Sequence, residues 1–224
     1  MTKVSPSYRQ EQLDSGEVTL VDVYADIVTS CVFRFADIIA NTEHSGIAVL
    51  TLTTAVFEPL GGILRGGNPR DMRKNFIEGF DYLFQQARGS TLAERVYYFV
   101  RCGLFHEGFI KPGICLKKSD EDEAIAERDG SVIIDPPMFL HEIKKQFEVF
   151  VDSVRTDGGL RRNFETYWRL RDENHEEQQR KHWPTAAAQP QALTGTTTIS
   201  PHSGSTTLET GTGWVSVKGH SEEA

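Results

Sequence analysis

Cysteine is scarce in this chain, and no two cysteines have the close spacing of a metal-binding or redox motif. The three that are present are Cys31, Cys102 and Cys115. Such a small, odd and widely spaced set does not predict a disulfide framework, and it lacks the C-x2-C pairs of a zinc site. The sequence therefore predicts free thiols in a reducing compartment, with no metal and no cofactor.

The chain also lacks an excess of positive charge and an apolar leader. Its net charge of -8 argues against broad coating of a nucleic acid, because lysine and arginine supply most non-specific affinity for phosphates. A local basic pocket stays open as an alternative. The first residues, MTKVSPSYRQEQLDSGE, contain no apolar run of the kind that secretion signals have. We therefore expect a cytoplasmic protein.

Only one hydrophobic run approaches the length of a membrane span. It covers residues 47–64, about eighteen residues, which is the lower limit for a spanning helix. Glu58, Pro59 and the pair Gly61-Gly62 interrupt it. We interpret the run as a central buried helix that bends or ends at Pro59, because proline removes a backbone donor. No association with a membrane is expected.

Apolar residues at helical spacing predict an all-α protein. A third helix follows Asn68-Pro69, and a fourth begins at Thr91, where the sequence TLAE fits a capping box. Asp135 caps a fifth helix, and a last, highly charged helix begins near Leu160. The first helix has a single apolar stripe made of Leu20, Val23, Tyr24, Ile27, Cys31, Phe35 and Ile38.

Two segments depart from the helical pattern. The β-prone runs GICLKK and SVIIDPP surround the charged stretch SDEDEAIAERDG, and they predict a small β-hairpin insertion before the penultimate helix. Beyond Pro184 the chain is rich in threonine, serine, glycine and alanine, a composition typical of disorder. The predicted organisation is thus a helical domain over residues 16–182 and a disordered tail over residues 183–224.

The candidate site lies in the last turns of the fourth helix, in the stretch RCGLFHEG. Arg101 and His106 are separated there by four residues. On a straight helix they would lie about 140° apart around the axis, so they would not share a face. They converge only if the helix loosens near Gly103, or if two chains place this helix side by side.

The order of helices and the motif YYFVRCGLFHEG resemble the HEPN superfamily (higher eukaryotes and prokaryotes nucleotide-binding domain) over roughly residues 20–155. The resemblance places the family's arginine at Arg101 and its histidine at His106. Cys102 stands where many active members have asparagine or another polar residue. The resemblance implies an α-helical bundle and a metal-independent endoribonuclease that acts on RNA as a homodimer with a composite Arg/His site. It also suggests a toxin or defence system, with an antitoxin or regulatory protein as a further partner.

The residue types suit this chemistry. Histidine titrates near neutral pH and can transfer a proton, whereas arginine is permanently charged and can hold a phosphate with its planar fork. In RNA the 2'-hydroxyl is an internal nucleophile, so the expected products are a 2',3'-cyclic phosphate and a 5'-hydroxyl. Besides Arg101 and His106 as catalytic residues, we expect Tyr98, Cys102 and Glu107 to contact the substrate.

Each of these residues also has an ordinary structural interpretation. His106 could stabilise the negative end of its helix, and Arg101 could pair with Glu94, Glu107 or the acidic stretch 120–123. The remaining alternatives are a zinc site made of Cys102, His106 and either Cys115 or His141, and a solvated basic face made of Arg161, Arg162, Arg169 and Arg171.

A second class of function stays open beside the enzyme. The same helices could form a non-catalytic dimeric module that binds a nucleotide or assembles with a protein partner. In such a module the Arg101–His106 motif would be structural or would hold a ligand without cleaving it.

Overall fold

The computed structural model describes residues 2–117 and 123–182. These residues fall within one compact unit that reaches to His182. The fold is mainly helical, with a small three-stranded sheet before the final two helices, which confirms the predicted fold class. The predicted tail, residues 183–224, lies outside the described residues, as do residues 118–122 of the charged stretch.

The helices follow one another in the order that the apolar pattern predicts, with several differences in detail. Among the described residues a short first helix precedes the predicted ones, a 3-10 helix covers Gln85–Ala87, and three segments wind as π-helix. In chain order the elements are α1 (Gln10–Asp14), α2 (Leu20–Val28), a first π segment (Thr29–Phe33), α3 (Arg34–Ala40), α4 (Gly46–Thr54), α5 (Phe57–Arg65), α6 (Met72–Leu83), α7 (Leu92–Val96), two further π segments (Tyr97–Arg101 and Gly103–Glu107), β1 (Ile114–Leu116), β2 (Ile125–Arg128), β3 (Ser131–Ile134), α8 (Pro136–Thr156) and α9 (Gly158–His182).

The start of α2 is fixed by a reciprocal cap. Thr19 Oγ1 accepts a hydrogen bond from the Asp22 backbone N–H at 3.2 Å, and the Asp22 carboxylate accepts one from the Thr19 backbone at 2.9 Å. Arg155 of α8 donates to the same carboxylate at 2.8 Å. Residues before the predicted domain start are also attached to α2, because the Ser7 backbone N–H donates to Asp26 at 2.8 Å.

The first π segment changes which face of the helix is buried. The Arg34 backbone N–H bonds to the Thr29 carbonyl, five residues back instead of four. This extra residue rotates everything after it, so Phe33 is 3% exposed and belongs to the core. The predicted stripe is therefore wrong in its second half. Phe35 is 55% exposed and Cys31 is exposed too, because the rotation carries both towards solvent.

The predicted central helix is two helices, α4 and α5, and the break falls at residues 55–56 instead of at Pro59. Pro59 lies in the first turn of α5, where its missing N–H costs nothing. By length and composition Gly46–Arg65 could cross a membrane, but 56% of its apolar window is buried inside the protein. Leu50, Phe57 and Leu60 have no exposed surface. This agrees with the prediction that the apolar run is buried inside the protein.

Two glycines let α5 and α6 cross at very short distance. A Cβ on Gly61 would overlap the Asn75 carbonyl, and one on Gly79 would overlap the Phe57 carbonyl. The close crossing stacks the central aromatic rings against one another. The rings that meet around it belong to Phe57, Phe76, Phe80, Phe84 and Phe139.

The sheet corrects the predicted pairing of strands. β2 and β3 form the antiparallel hairpin, joined through Asp129 and Gly130, which both have positive φ as a tight two-residue turn requires. β1 pairs with β3 in parallel. The stretch IAER, inside the charged segment between the two β-prone runs, is therefore a strand, because the Asp-Gly turn after it pairs it with β3.

The last two helices match their sequence signals. Asp135 accepts a hydrogen bond from the Met138 backbone N–H at 3.1 Å, which confirms it as the cap of α8. In α9 only Phe164 and Tyr167 are buried, as its thin apolar face predicts. The buried stripe of α8 contains Phe139, Ile143, Phe147, Phe150, Val151 and Val154.

Candidate functional site

The helix that carries the motif begins at Leu92 without the predicted capping box. The Thr91 side chain accepts no cap hydrogen bond. Instead Ser90 Oγ accepts from the Leu92 backbone N–H at 3.2 Å. Glu94 is drawn away from the cap by Arg73 of α6, whose guanidinium lies 2.5 Å from the carboxylate, so an inter-helix ion pair replaces the box.

The two π segments bring Arg101 and His106 together within one chain. The Cys102 backbone N–H bonds to the Tyr97 carbonyl, five residues back, and π geometry continues from Gly103 to Glu107. In a π turn residues five apart lie one above the other. Arg101 Nη1 is consequently 3.4 Å from His106 Nε2. Loosening of the helix, one of the two predicted routes to convergence, is the one that the structure shows.

Gly103 makes room for the chain to fold back at the end of this helix. It is buried, and a Cβ there would overlap the carbonyl of Phe109. Gly108 adopts the left-handed conformation with φ 78° and reverses the chain. The Lys111 backbone N–H then donates to the Phe99 carbonyl at 2.9 Å. The returning chain thus closes the end of the helix through this hydrogen bond.

Glu58 holds Arg101 from the side opposite to His106. Its Oε1 accepts from Arg101 Nε at 2.6 Å, and the two side chains are only 22% and 14% exposed. Burial alone would lower the pKa of Arg101, but the hydrogen bond and negative charge of Glu58 outweigh it, so the pKa is raised. Sequence reasoning assigned Glu58 no role. The feature of the sequence that could have indicated a role is that Glu58 is a lone carboxylate inside an apolar helix.

The contact with Arg101 involves a defined nitrogen of His106. A guanidinium N–H can only donate, so a hydrogen bond between the two side chains requires His106 Nε2 as the acceptor. The imidazole is exposed to solvent at the end of the motif helix. In that arrangement Nε2 is the only nitrogen with a free lone pair, so the imidazole can take a proton from a hydroxyl group once the Arg101 guanidinium turns from Nε2 to a phosphate.

Aromatic rings surround the Arg101 guanidinium. Its central carbon lies 5.1 Å from the Phe105 ring centroid and 5.9 Å from that of Tyr97. Tyr97 is in the core, whereas Tyr98 is 48% exposed and lies under Arg73. Tyr98, an expected contact residue, is therefore accessible, whereas Tyr97 belongs to the core.

The other predicted contact residues are placed differently. Cys102 is half-buried, packs on the core and lies against Tyr97, whose pKa is raised first by burial and then by Cys102. Glu107 turns away from Arg101 and pairs with Lys111 at 2.6 Å. Arg101 therefore pairs with a carboxylate of α5 instead of with Glu94 or Glu107, because the packing of α5 brings Glu58 nearer. Residues 120–122 of the third predicted partner lie outside the described residues.

The alternative zinc set is not assembled. Among residues 2–117 and 123–182, no group of three or more histidine, cysteine, aspartate and glutamate side chains is arranged to hold a metal ion. The basic set on α9 matches the interpretation as a solvated face. Arg169 pairs with Glu173 on its own helix, and Arg171 pairs with Asp172 and lies over Trp168.

Comparison of the chain with family models, with curated proteins and with solved structures found no match. The resemblance to the HEPN superfamily therefore rests on the motif and on the order of the helices. It stays a prediction, and so do the activity and the partners that it implies.

Proposed function

We propose that this protein is a metal-independent endoribonuclease of HEPN type, acting as a homodimer. The observation that carries the proposal is the contact of 3.4 Å between Arg101 Nη1 and His106 Nε2 on a loosened helix end. A fixed cation and a proton acceptor side by side are what cleavage of an RNA phosphodiester needs. A role in a toxin or defence system, with an antitoxin or regulatory protein as partner, belongs to the same proposal.

The reaction uses the RNA, the Arg101 guanidinium and the His106 imidazoles of two copies of the chain. The 2'-oxygen attacks the adjacent phosphorus and forms the cyclic phosphate, while the bond from phosphorus to the 5'-oxygen breaks. His106 accepts the proton of the 2'-hydroxyl, and Arg101 compensates the charge on the phosphoryl oxygens. The leaving 5'-oxygen must receive a proton, which gives a 5'-hydroxyl end.

The homodimer supplies the second proton-transfer group. Attack and departure take place on opposite sides of the phosphorus, so one imidazole cannot stand at both oxygens at once. A second copy of the motif helix across a two-fold axis would bring a second His106 to the leaving oxygen. The composite site is thus needed for the acid as well as the base, although one chain already brings its own Arg101 and His106 together.

The proposal is tested by incubating the purified protein with mixed RNA in the presence of EDTA. We expect cleavage with 2',3'-cyclic phosphate ends, and loss of about 10²–10⁴ in rate in His106→Ala, since general acid–base catalysis is worth that much. Arg101→Ala should lose activity to a similar extent. His141→Ala, an exposed histidine on α8, is the control that should cleave at the parental rate.

Two outcomes would overturn the proposal: no cleavage of any RNA by the parent protein, or parental cleavage by both variants. Loss of activity on adding EDTA would contradict metal independence. The oligomeric state is measured by sedimentation at micromolar concentration, and an active monomer would rule out the composite site.

The second candidate is a non-catalytic dimeric module that binds a nucleotide or a protein. It is favoured by the Glu58 carboxylate, which already neutralises Arg101, and by Cys102 at the position where many active family members have a polar residue. If the protein is such a module, RNA or a nucleotide should bind without being cleaved. The same incubation distinguishes this outcome from cleavage.

A further inference from the structure

Each side-chain nitrogen of Arg101 has a different partner. Nε donates to the Glu58 carboxylate at 2.6 Å, and Nη1 lies 3.4 Å from His106 Nε2. Nη2 donates to the sulfur of Met72 at 3.7 Å. A carboxylate accepts a hydrogen bond strongly, whereas a thioether sulfur accepts one only weakly. Nη2 is therefore the nitrogen that a phosphate can take over most readily.

The packing of α6 on the motif helix holds Met72 at this place. Met72 is the first residue of α6, and the next residue, Arg73, forms an ion pair with Glu94 of the motif helix at 2.5 Å. One turn further on, the buried Phe76 ring packs edge to face on Tyr97 at 5.3 Å. The sulfur is thus held beside the guanidinium by the residues that follow it in α6.

Met72 is also more open to an oxidant than Met138, the other methionine among the described residues. Met72 is 47% exposed, whereas Met138 in the first turn of α8 is half-buried. Oxidation of a methionine requires that the oxidant reach the sulfur. Exposure alone would not make Met72 a functional residue, and it is the contact of its sulfur with Arg101 Nη2 that does so.

From this contact we infer that Met72 is a reversible oxidation site that switches off the candidate site. The inference rests on the proposed ribonuclease function and adds a regulation to it. Hydrogen peroxide transfers one oxygen atom to the sulfur: the O–O bond breaks, an S–O bond forms, the thioether is oxidised to a sulfoxide, and the peroxide is reduced to water. The sulfoxide oxygen is a strong acceptor beside Nη2, so it competes with the RNA phosphate for this nitrogen.

The test compares the protein before and after treatment with hydrogen peroxide. Dithiothreitol is then added, because it reduces oxidised thiols of the three cysteines but leaves methionine sulfoxide in place. Peptide mass spectrometry measures the sulfoxide at Met72 and at Met138. We expect cleavage of mixed RNA to fall at least about tenfold as Met72 is oxidised, since the phosphate must displace one charge-assisted hydrogen bond. Methionine sulfoxide reductases A and B together should restore cleavage.

A second readout involves no RNA. Phenylglyoxal modifies an arginine through its two Nη nitrogens, so Arg101 should lose reactivity towards it once a sulfoxide holds Nη2. The reaction is followed by mass spectrometry of the peptide that contains Arg101. Arg169, an exposed arginine on α9, should react at the same rate before and after oxidation.

Two variants keep the test specific. Met72→Leu has an apolar side chain of similar size but no sulfur, so its cleavage of RNA and the reactivity of its Arg101 should be the same before and after peroxide. Met138→Leu should respond to peroxide as the parent does. Thermal unfolding before and after the treatment shows whether the oxidised proteins keep their fold.

Complete oxidation of Met72 with unchanged cleavage and unchanged reactivity of Arg101 would overturn the inference, and so would loss of both in peroxide-treated Met72→Leu. A lower unfolding temperature in the oxidised parent, but not in Met72→Leu, would overturn it as well, because unfolding would then cause the loss. Slower reaction of Arg101 with phenylglyoxal in a protein that cleaves no RNA would leave the Met72 switch standing and overturn the ribonuclease. Cleavage of RNA that does not change on oxidation of Met72 would do the reverse.

Discussion

Within the part of the chain that the structure describes, two helices contain π turns, and these turns have different consequences in each. In the helix that runs from α2 to α3, the turn at Thr29–Phe33 only changes which residues reach the core. In the motif helix, the turns between Tyr97 and Glu107 bring Arg101 to 3.4 Å from His106. The first turn is therefore a matter of packing, whereas the second creates a chemical pair.

The difference follows from what each π turn places on its surface. After the first turn the residues that face solvent are a mixture, with the apolar Phe35 and Ile38 beside Arg34 and Asp37. After the second turn they include a cation and an imidazole, and a carboxylate from α5 fixes the cation. A π turn is thus no sign of a site by itself, and its side chains decide what it does.

The largest effect is expected from the register of the first π segment. Phe33→Ala should lower the free energy of unfolding by about 3–5 kcal/mol, because the ring is buried against Phe147 at 5.3 Å and its removal leaves a cavity. Phe35→Ala should change it by less than about 0.5 kcal/mol, since Phe35 is exposed. Urea unfolding followed by circular dichroism measures both. A larger loss of stability in Phe35→Ala than in Phe33→Ala would mean that the apolar stripe predicted for a helix without a π turn is the buried one.

A smaller effect is expected at the ion pair that fixes the motif. Glu58→Gln should lower the free energy of unfolding by about 1–3 kcal/mol, less than for a fully buried pair because both side chains are partly exposed. The lost charge should also release the Arg101 guanidinium and reduce RNA cleavage. Unfolding and cleavage assays on one preparation measure the two effects together.

The matched control for this variant is Glu173→Gln, which removes a carboxylate from the exposed pair with Arg169 on α9. We expect a change below about 0.5 kcal/mol there, as for most surface pairs. Equal stability of the two glutamine variants, with parental cleavage by Glu58→Gln, would show that the motif does not depend on α5.

The smallest effect is expected at the start of the helix that contains the first π segment. Burial alone would raise the pKa of Asp22, but the hydrogen bonds from Thr19 and Arg155 outweigh it and lower the pKa below its usual 3.8. A carboxylate with a lowered folded pKa stabilises the protein above about pH 4, and this stabilisation is lost as the pH falls through the folded pKa.

Asp22→Asn should therefore be less stable than the parent at pH 7, by less than about 1 kcal/mol for a partly exposed group. The two proteins should approach each other in stability as the pH falls below about 4. Urea midpoints at a series of pH values measure the gap. A gap that widens in acid would contradict the direction of the pKa change.

Much of the fold could be predicted from periodicity and local capping. The cap of α8 at Asp135 and the highly charged last helix both agree with the structure. These features depend on residues within one or two turns of each other, and such contacts are visible in the linear sequence. The predictions that failed depend on other parts of the chain. Glu94 leaves its capping box for Arg73, and β1 pairs with β3 in parallel instead of forming the hairpin.

In the candidate site, too, some residues could be predicted from the sequence and others could not. Arg101 and His106 could be singled out by residue type and spacing, and Gly103 as the place where the helix could loosen. Glu58 could not, because 43 residues separate it from Arg101 and only the packing of α5 on its neighbours brings the two together. The linear sequence also could not predict that Glu107 pairs with Lys111 instead of with Arg101.

By itself, then, the sequence determined the helices, their order and the residue types of the motif, since hydrophobic periodicity and caps act over a few residues. The tertiary structure decided which face of the first helix is buried, which carboxylate holds Arg101, and that one chain brings its guanidinium and imidazole into contact. The physical reason is that a π turn adds one residue to a helical turn. Its cost must be offset by packing and ion pairs from distant segments, which no local pattern contains.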